Sequence, residues 1–200
     1  MVMSTPRFAS FSAAIFALLG QLGDVLKARG TPVHSVRAYI FGGCAVHLYA
    51  ASRVSSDLDV DLLTAVVPRR DLHAAKAQVG YVLVQSDAED APDLLEFDLT
   101  YNATLGPLHE DFESRATELE RLEGSPLVVF LPAREDLALT KLGRLSEADV
   151  ADILTLMDFP GASWDFLLKL TQDVEQYHVG RPGDLLSKLG YVRKYHAGLS

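Results

Sequence analysis

The feature that most constrains the fold is a run in which acidic and apolar residues alternate, Asp57-Leu58-Asp59-Val60-Asp61-Leu62. A period of two residues is that of a β-strand, in which successive side chains point to opposite faces. The pattern therefore predicts a strand with one buried apolar face and one acidic face. Because acidic residues are depleted in strands, the acidic face also indicates a site.

Asp57 and Asp59 are expected to lie side by side on the acidic face of this strand. Two adjacent carboxylates repel each other unless a cation lies between them, and Mg²⁺ prefers oxygen ligands. The pair therefore predicts a magnesium site. Asp61 shares the face, but at the rise of a strand it is about 13 Å from Asp57, which is too far for one ion.

Several other motifs are excluded by the sequence. The acidic spacing resembles the start of an EF-hand, but Leu62 and Pro68 stand where that loop needs glycine and glutamate. Neither the P-loop motif nor the dinucleotide-binding glycine motif follows a predicted strand. The single cysteine, Cys44, excludes a disulfide scaffold and a cysteine-based zinc site.

A second alternating run, Leu94–Tyr101, places Glu96, Asp98 and Thr100 on one face. If this strand lies beside the first one in a sheet, a third carboxylate joins the pair. Three carboxylates can hold two metal ions, which stabilise the attacking and leaving oxygens of a phosphoryl transfer. The alternative is that both acidic faces only contact solvent.

Gly42 and Gly43 follow a predicted strand over Val36–Phe41 and precede a predicted short helix over Cys44–Ser52. A glycine turn of this kind exposes backbone N–H groups at a helix N-terminus, where phosphate binds. Two glycines after a strand are also common in a plain tight turn. The glycine pair therefore becomes informative only in combination with the acids.

The order of predicted elements indicates the architecture. Strands and helices alternate up to residue 131, with an acidic helix expected over 109–123, and only helices are predicted afterwards. We expect an α/β (α+β) fold, with a short mixed sheet and flanking helices over 1–131 and a C-terminal helical part packed on it over 132–200. The apolar N-terminal stretch predicts an amphipathic helix over 8–29 instead of a signal peptide, so a soluble, intracellular protein is expected.

The glycine pair, the short helix, the Arg/Ser-rich turn and the Asp-x-Asp strand together resemble the nucleotidyltransferase superfamily of the DNA polymerase β type. The matching segments are Phe41-Gly42-Gly43, Asp57-Leu58-Asp59-Val60 and Phe97-Asp98-Leu99, with Leu95-Glu96-Phe97 as the alternative third acid. The downstream segment is similar to small bacterial minimal nucleotidyltransferases, including the AbiEii-like toxins of type IV toxin–antitoxin systems. Its residues are Glu135-Asp136-Leu137, Lys141-Leu142, Arg144, Asp149 and Asp152-Ile153, and the whole resemblance covers roughly residues 36–158.

The resemblance implies a polymerase β-like palm that transfers NMP from an NTP to a hydroxyl acceptor. It implies Mg²⁺ or Mn²⁺ on the catalytic residues Asp57, Asp59 and Asp98. The residues implied to bind the nucleotide are Gly42, Gly43, Ser56, Lys141 and Asp152. Asp149 and Asp152 are three residues apart and would orient Lys141 or Arg144 through a salt bridge. Many relatives have serine at the position of Gly43, so the phosphate-binding hydroxyl is expected from Ser55 or Ser56.

The implied partners are an NTP and an acceptor that is a protein, a tRNA or a small molecule, with no membrane involved. A cognate toxin or antitoxin is a further implied partner. The net charge of −9 disfavours tRNA unless the basic segment 181–200 forms a local groove. The alternatives are a non-catalytic interaction or nucleotide-sensing module with the same fold, and a phosphodiesterase that uses the same acidic face.

Overall fold

The computed structural model describes residues 6–51, 54–85, 93–121 and 123–199, so Arg53 of the predicted turn lies outside the described residues. The chain divides into two compact units. Unit 1 contains Met1–Leu48, Arg53–Tyr101 and Glu118–Leu131, and unit 2 contains Tyr49–Ser52, Asn102–Thr117 and Pro132–Ser200. Two short stretches before residue 132 therefore belong with the C-terminal helices.

Unit 1 is built on two mixed four-stranded sheets, where one short sheet was expected. In order across the first sheet, the strands are β4 (Val60–Leu63), β2 (Val36–Ile40), β8 (Leu127–Leu131) and β7 (Thr117–Arg121). In order across the second sheet, they are β1 (Arg7–Phe8), β5 (Val82–Val84), β6 (Asp93–Phe97) and β3 (Asp57–Leu58). The helices in this part of the chain are α1 (Phe11–Ala28), α2 (Gly42–Ala50) and α3 (Arg69–Lys76).

The acidic strand takes part in both sheets. Its first half, β3, pairs in parallel with β6, with Asp57 opposite Glu96. Its second half, β4, pairs antiparallel with β2, with Val60 opposite Ile40. Asp59 lies between the two halves, where the chain leaves one sheet and enters the other.

Helix α1 provides much of the apolar core of unit 1. Its fully buried residues include Ile15, Leu18, Leu19 and Leu22. By length and composition, it is also the one helix in the described part of the chain that could cross a membrane. The burial of its apolar face is consistent with the core helix of a soluble protein.

The prediction of one acidic helix over 109–123 is wrong. This stretch forms the four-residue helix α4 (Phe112–Arg115) and then strand β7. Residues 117–121 contain a single apolar residue, Leu119, and β7 lies at the edge of its sheet with most of its residues exposed. Charged residues are common on edge strands because they oppose pairing with other chains. The high acidic content therefore reflects an exposed sheet edge.

Unit 2 contains the predicted run of C-terminal helices. They are α5 (Arg134–Leu142), α6 (Glu147–Met157), α7 (Trp164–Glu175) and α8 (Asp184–Leu199). A buried ion pair joins α4 to α5, because the Arg115 guanidinium donates to both carboxylate oxygens of Asp136 at 2.8 and 2.7 Å. Asp136 is fully buried, so the negative charge depends on this arginine for compensation.

We predict that Arg115→Met strongly destabilises the protein, by about 3 kcal/mol, because it leaves the buried Asp136 carboxylate without a positive partner. Arg121→Met is the matched control, since Arg121 also binds a carboxylate through two nitrogens, on the exposed Glu118, and little change is expected. Urea unfolding of both variants measures the difference. Equal losses of stability in the two variants would contradict the prediction.

Candidate functional site

Gly42 lies directly against the carboxylate of Asp59. Its φ of +62° is in the left-handed region, which favours glycine. A Cβ atom at this position would overlap the Asp59 carboxylate and lie 2.8 Å from its Cγ. Glycine is therefore required by both backbone conformation and space, and the glycine turn meets the acidic strand in three dimensions.

Two further contacts connect the start of α2 to the acid pair. The backbone N–H of Phe41 donates to the carbonyl oxygen of Asp59 at 2.8 Å. The thiol of Cys44, which is fully buried, donates to the carbonyl oxygen of Asp57 at 3.3 Å. The backbone around both aspartates is therefore held by the segment that follows β2.

The predicted serines lie beside Asp57. The Ser56 hydroxyl donates to Asp57 Oδ2 at 3.0 Å, and the Ser55 hydroxyl lies 3.2 Å from the Asp57 carbonyl oxygen. Asp57 is exposed, whereas Asp59 is half-buried. Ser56 thus orients a carboxylate in this structure, and its contact with a nucleotide stays a prediction, as do those of Gly42 and Gly43.

Asp98 comes directly after β6, the strand that pairs with β3, so the strand predicted over Leu94–Tyr101 ends just before it. Its Oδ1 accepts hydrogen bonds from the N–H of Thr100 at 2.6 Å, the hydroxyl of Thr100 at 2.7 Å and the N–H of Tyr101 at 3.1 Å. Burial acts to raise the pKa of Asp98, but these hydrogen bonds and the charge of Lys76 outweigh it and lower the pKa. Asp98 is therefore an ionised group with one oxygen already occupied by protein donors.

The sequence predicts that carboxylates from two neighbouring strands hold a metal ion together. Among the residues that the structure describes, no group of three or more His, Cys, Asp or Glu side chains is placed to hold a metal ion. Mg²⁺ is commonly bound by one or two carboxylates, with waters and substrate phosphates completing the shell. The binding of a metal ion by Asp57 and Asp59, with Asp98 or Glu96 as a third ligand, therefore stays a prediction.

In unit 2, Lys141 and Asp152 form a buried ion pair. Lys141 Nζ donates to Asp152 Oδ2 at 2.7 Å and lies 3.7 Å from Asp149 Oδ1. Lys141 is only 8% exposed. The expected salt bridge between this lysine and the acids of the next helix is therefore present. The contact of Lys141 and Asp152 with a nucleotide stays a prediction.

Asp149 is the most strongly bonded acid of this cluster. It accepts from Arg144 at 2.8 and 3.0 Å and from the backbone and hydroxyl of Ser146, which caps α6. Burial acts to raise the pKa of Asp149, but Arg144, Ser146 and the Lys141 charge lower it to about 2. The ionised form of Asp149 therefore stabilises the folded chain.

Sequence reasoning missed two residues near the acids, Lys76 and Tyr101. Burial lowers the pKa of Lys76, while Asp98, Asp61 and Asp59 act in the opposite direction. Burial raises the pKa of Tyr101, and the same three carboxylates raise it further. Lys76 ends a short helix rich in charged residues, where a lysine is usually exposed, so no local pattern indicated its burial.

The chain is similar to a known protein family over most of its length. The family described as a nucleotidyltransferase of unknown function, DUF6036, matches residues 19–184. This range includes every site residue discussed above. No curated protein matches the chain, and the relationship to the AbiEii-like toxins stays a prediction.

We predict that Gly42→Ala destabilises the protein by more than about 2 kcal/mol, because alanine resists a left-handed backbone and its methyl group would displace the Asp59 carboxylate. Gly20→Ala in α1 is the control, since a Cβ there meets nothing within 4 Å. Chemical denaturation gives both values. A Gly42→Ala protein as stable as the control variant would show that the close approach to Asp59 is not a constraint.

The lowered pKa of Asp149 predicts a pH-dependent contribution to stability. A folded-state pKa of about 2 lies below the ordinary value of 3.8, so the stabilisation is complete above pH 5. It should amount to about 2 kcal/mol and disappear as the pH falls through 4 towards 2. The measurement is the difference in unfolding free energy between the wild-type protein and Asp149→Asn across that range. A difference that stays constant down to pH 2 would refute the prediction.

Proposed function

The chain belongs to the DUF6036 family of nucleotidyltransferases, and on that premise we propose that it transfers NMP from an NTP to a hydroxyl acceptor with the help of Mg²⁺ or Mn²⁺. The observation that carries the proposal is the contact between Gly42 and the Asp59 carboxylate. It brings a phosphate-binding type of turn and a cation-binding type of acid pair to one place in unit 1. The glycine turn alone could be a plain tight turn, and the acid pair alone could be the solvated face of a strand.

Each group at this place has a chemical role in the proposal. Asp57 and Asp59 hold the cation, and the Ser56 hydroxyl fixes the orientation of the Asp57 carboxylate. A bound divalent ion supplies neutralisation of phosphate charge and polarisation of the phosphoryl group. The first N–H groups of α2 have no acceptor within the helix, so those of the glycine turn donate to phosphate oxygens.

Two further residues complete the proposed set. Asp98 is the proposed third acid, and its ionised form is already favoured by its hydrogen bonds. Lys141 is the proposed contact for the triphosphate, as a compact positive charge whose direction is set by Asp152. These roles rest on the family resemblance, with the local geometry of each residue as support.

The acceptor in this proposal is a protein, a tRNA or a small molecule. We also propose that the enzyme is intracellular and that its partner is a cognate toxin or antitoxin.

One observation favours a second candidate, a module that senses nucleotides without transferring them. Asp98 Oδ1 is already bonded to three protein donors, which leaves it fewer lone pairs for a second ion. The two candidates differ in whether NMP leaves the NTP.

The test is incubation of the purified full chain with each α-labelled NTP and Mg²⁺ or Mn²⁺, with and without host-cell extract. We expect transfer of label with release of pyrophosphate, reduced by about 100-fold or more in Asp57→Asn and Asp59→Asn because the cation is lost. Asp93→Asn, at an exposed position on the neighbouring strand β6, is the matched control and should keep full activity.

The products decide among the candidates. Inorganic phosphate or free NMP in place of a labelled acceptor would indicate hydrolysis by a phosphodiesterase. NTP binding without label transfer under any condition would contradict the transferase and support the sensing module. Lys141→Met tests the proposed triphosphate contact, with Lys169→Met on the exposed side of α7 as its control.

A further inference from the structure

The guanidinium group of Arg134, the first residue of α5, lies against two aromatic rings in unit 2. Its Cζ atom is 4.8 Å from the ring centroid of Tyr49 and 4.7 Å from that of Phe159. The two rings contact each other edge to face, with their centroids 6.5 Å apart. The Tyr49 hydroxyl donates to the carbonyl oxygen of Pro132 at 2.8 Å, which fixes one of the rings. Arg134 is therefore held in a corner formed by two ring faces, which attract its positive charge.

This guanidinium group has N–H donors but no acceptor. Nε of Arg134 is buried and makes no hydrogen bond, which is true of no other buried side-chain nitrogen or oxygen in the described part of the chain. The two terminal nitrogens also have no hydrogen bond or ion pair with a described residue. Because they are not among the buried unpartnered atoms, they reach solvent, and the residue as a whole is half-buried. Ring faces attract a cation but offer no lone pair, so the accessible donors are available to a ligand.

The acidic residues that follow Arg134 in the sequence have other partners. Glu135 accepts from the backbone N–H of Ser163 at 2.8 Å. Asp136 accepts from both sides of the Arg115 guanidinium group. Unit 2 thus pairs Arg115 with a buried carboxylate but leaves Arg134 with ring contacts alone.

A held guanidinium group without an acceptor is suited to binding an oxyanion. It is planar and always charged, and its N–H groups match two oxygens of a phosphate or carboxylate group. A free arginine side chain loses rotamer freedom when it binds such a group. Here the rings of Tyr49 and Phe159 already restrict the side chain, so an oxyanion binds with a smaller loss of entropy.

We propose that Arg134 is the anchor of an oxyanion-binding site in unit 2, and that the oxyanion is a phosphate group. The terminal nitrogens of Arg134 donate to two oxygens of the phosphate, while Tyr49 and Phe159 hold the guanidinium group in place. The choice of phosphate over carboxylate rests on the proposed function, in which an NTP is the substrate and pyrophosphate a product. The phosphate belongs either to a nucleotide or to a molecule without a base.

Calorimetric titration of the full chain with pyrophosphate, and separately with ATP, tests the proposal. Both titrations are done in EDTA, so that neither ligand binds through a divalent ion at Asp57 and Asp59. Arg134→Met should weaken binding by about tenfold or more, because hydrogen bonds to a charged group are lost. Arg134→Lys should weaken it less, since lysine keeps the charge but not the planar pair of donors. Arg181→Met, at an exposed arginine of the same unit, is the matched control and should bind as the wild-type protein does.

A second comparison tests the role of the two rings. Tyr49→Leu and Phe159→Leu each remove a ring and should weaken binding by about threefold, because the guanidinium group is held less firmly. Tyr49→Phe keeps the ring and should retain most of the affinity. Circular dichroism checks that each variant is folded. If Arg134→Met does not fold, Arg134→Lys and the ring variants still test the site.

The outcomes separate this inference from the proposed function. Equal affinities of wild-type and Arg134→Met protein for both ligands would overturn the inference and show that the arginine only packs. A wild-type protein that binds neither ligand in EDTA would also overturn it. Dependence on Arg134 for both ligands supports a site for phosphate from either source, and dependence for ATP alone supports a nucleotide phosphate. If no NMP is transferred with Mg²⁺ while binding in EDTA still depends on Arg134, the proposed function fails and the oxyanion site stands.

Discussion

Repulsion between carboxylates on one strand is the constraint on which the arrangement of unit 1 depends. Asp57, Asp59 and Asp61 occupy alternate positions of a single run, and Asp98 follows the strand paired with it. Protein donors lie beside two of these carboxylates: the Ser56 hydroxyl donates to Asp57, and Asp98 accepts three hydrogen bonds from Thr100 and Tyr101.

In unit 2, the negative charges of buried carboxylates are compensated by ion pairs with arginine and lysine. The buried carboxylates Asp136, Asp149 and Asp152 each meet an arginine or lysine within 2.8 Å. Removing either partner of such a pair leaves a buried charge without compensation, so these contacts specify how the helices meet. The family resemblance assigns Lys141 to the triphosphate, and the ion pair with Asp152 fixes the orientation of this lysine side chain.

Local patterns predicted the elements that surround the candidate site, because the relevant signals lie within a few residues. Alternation predicted the acidic strand, and the glycine pair predicted the strand-to-helix turn; the structure confirms both. The strand within 109–123 shows no such pattern, because Leu119 is the one apolar residue among 117–121 and an exposed edge strand needs no apolar face. The burial of Lys76 could not be predicted, because it depends on contacts with Val60 and Phe97, which are distant in sequence.

The sequence by itself determined which side chains share a face of a strand, where a glycine joins strand to helix, and that Asp57 and Asp59 occupy alternate positions of one acidic run. These properties follow from backbone geometry over a few residues. Only the tertiary structure decided that the acidic strand crosses from one sheet to the other at Asp59, that Gly42 lies against that carboxylate, and that Lys76 of α3 donates to the carbonyl oxygen of Val60. Strand partners and helix positions depend on contacts between distant residues, and these form only when the whole core packs.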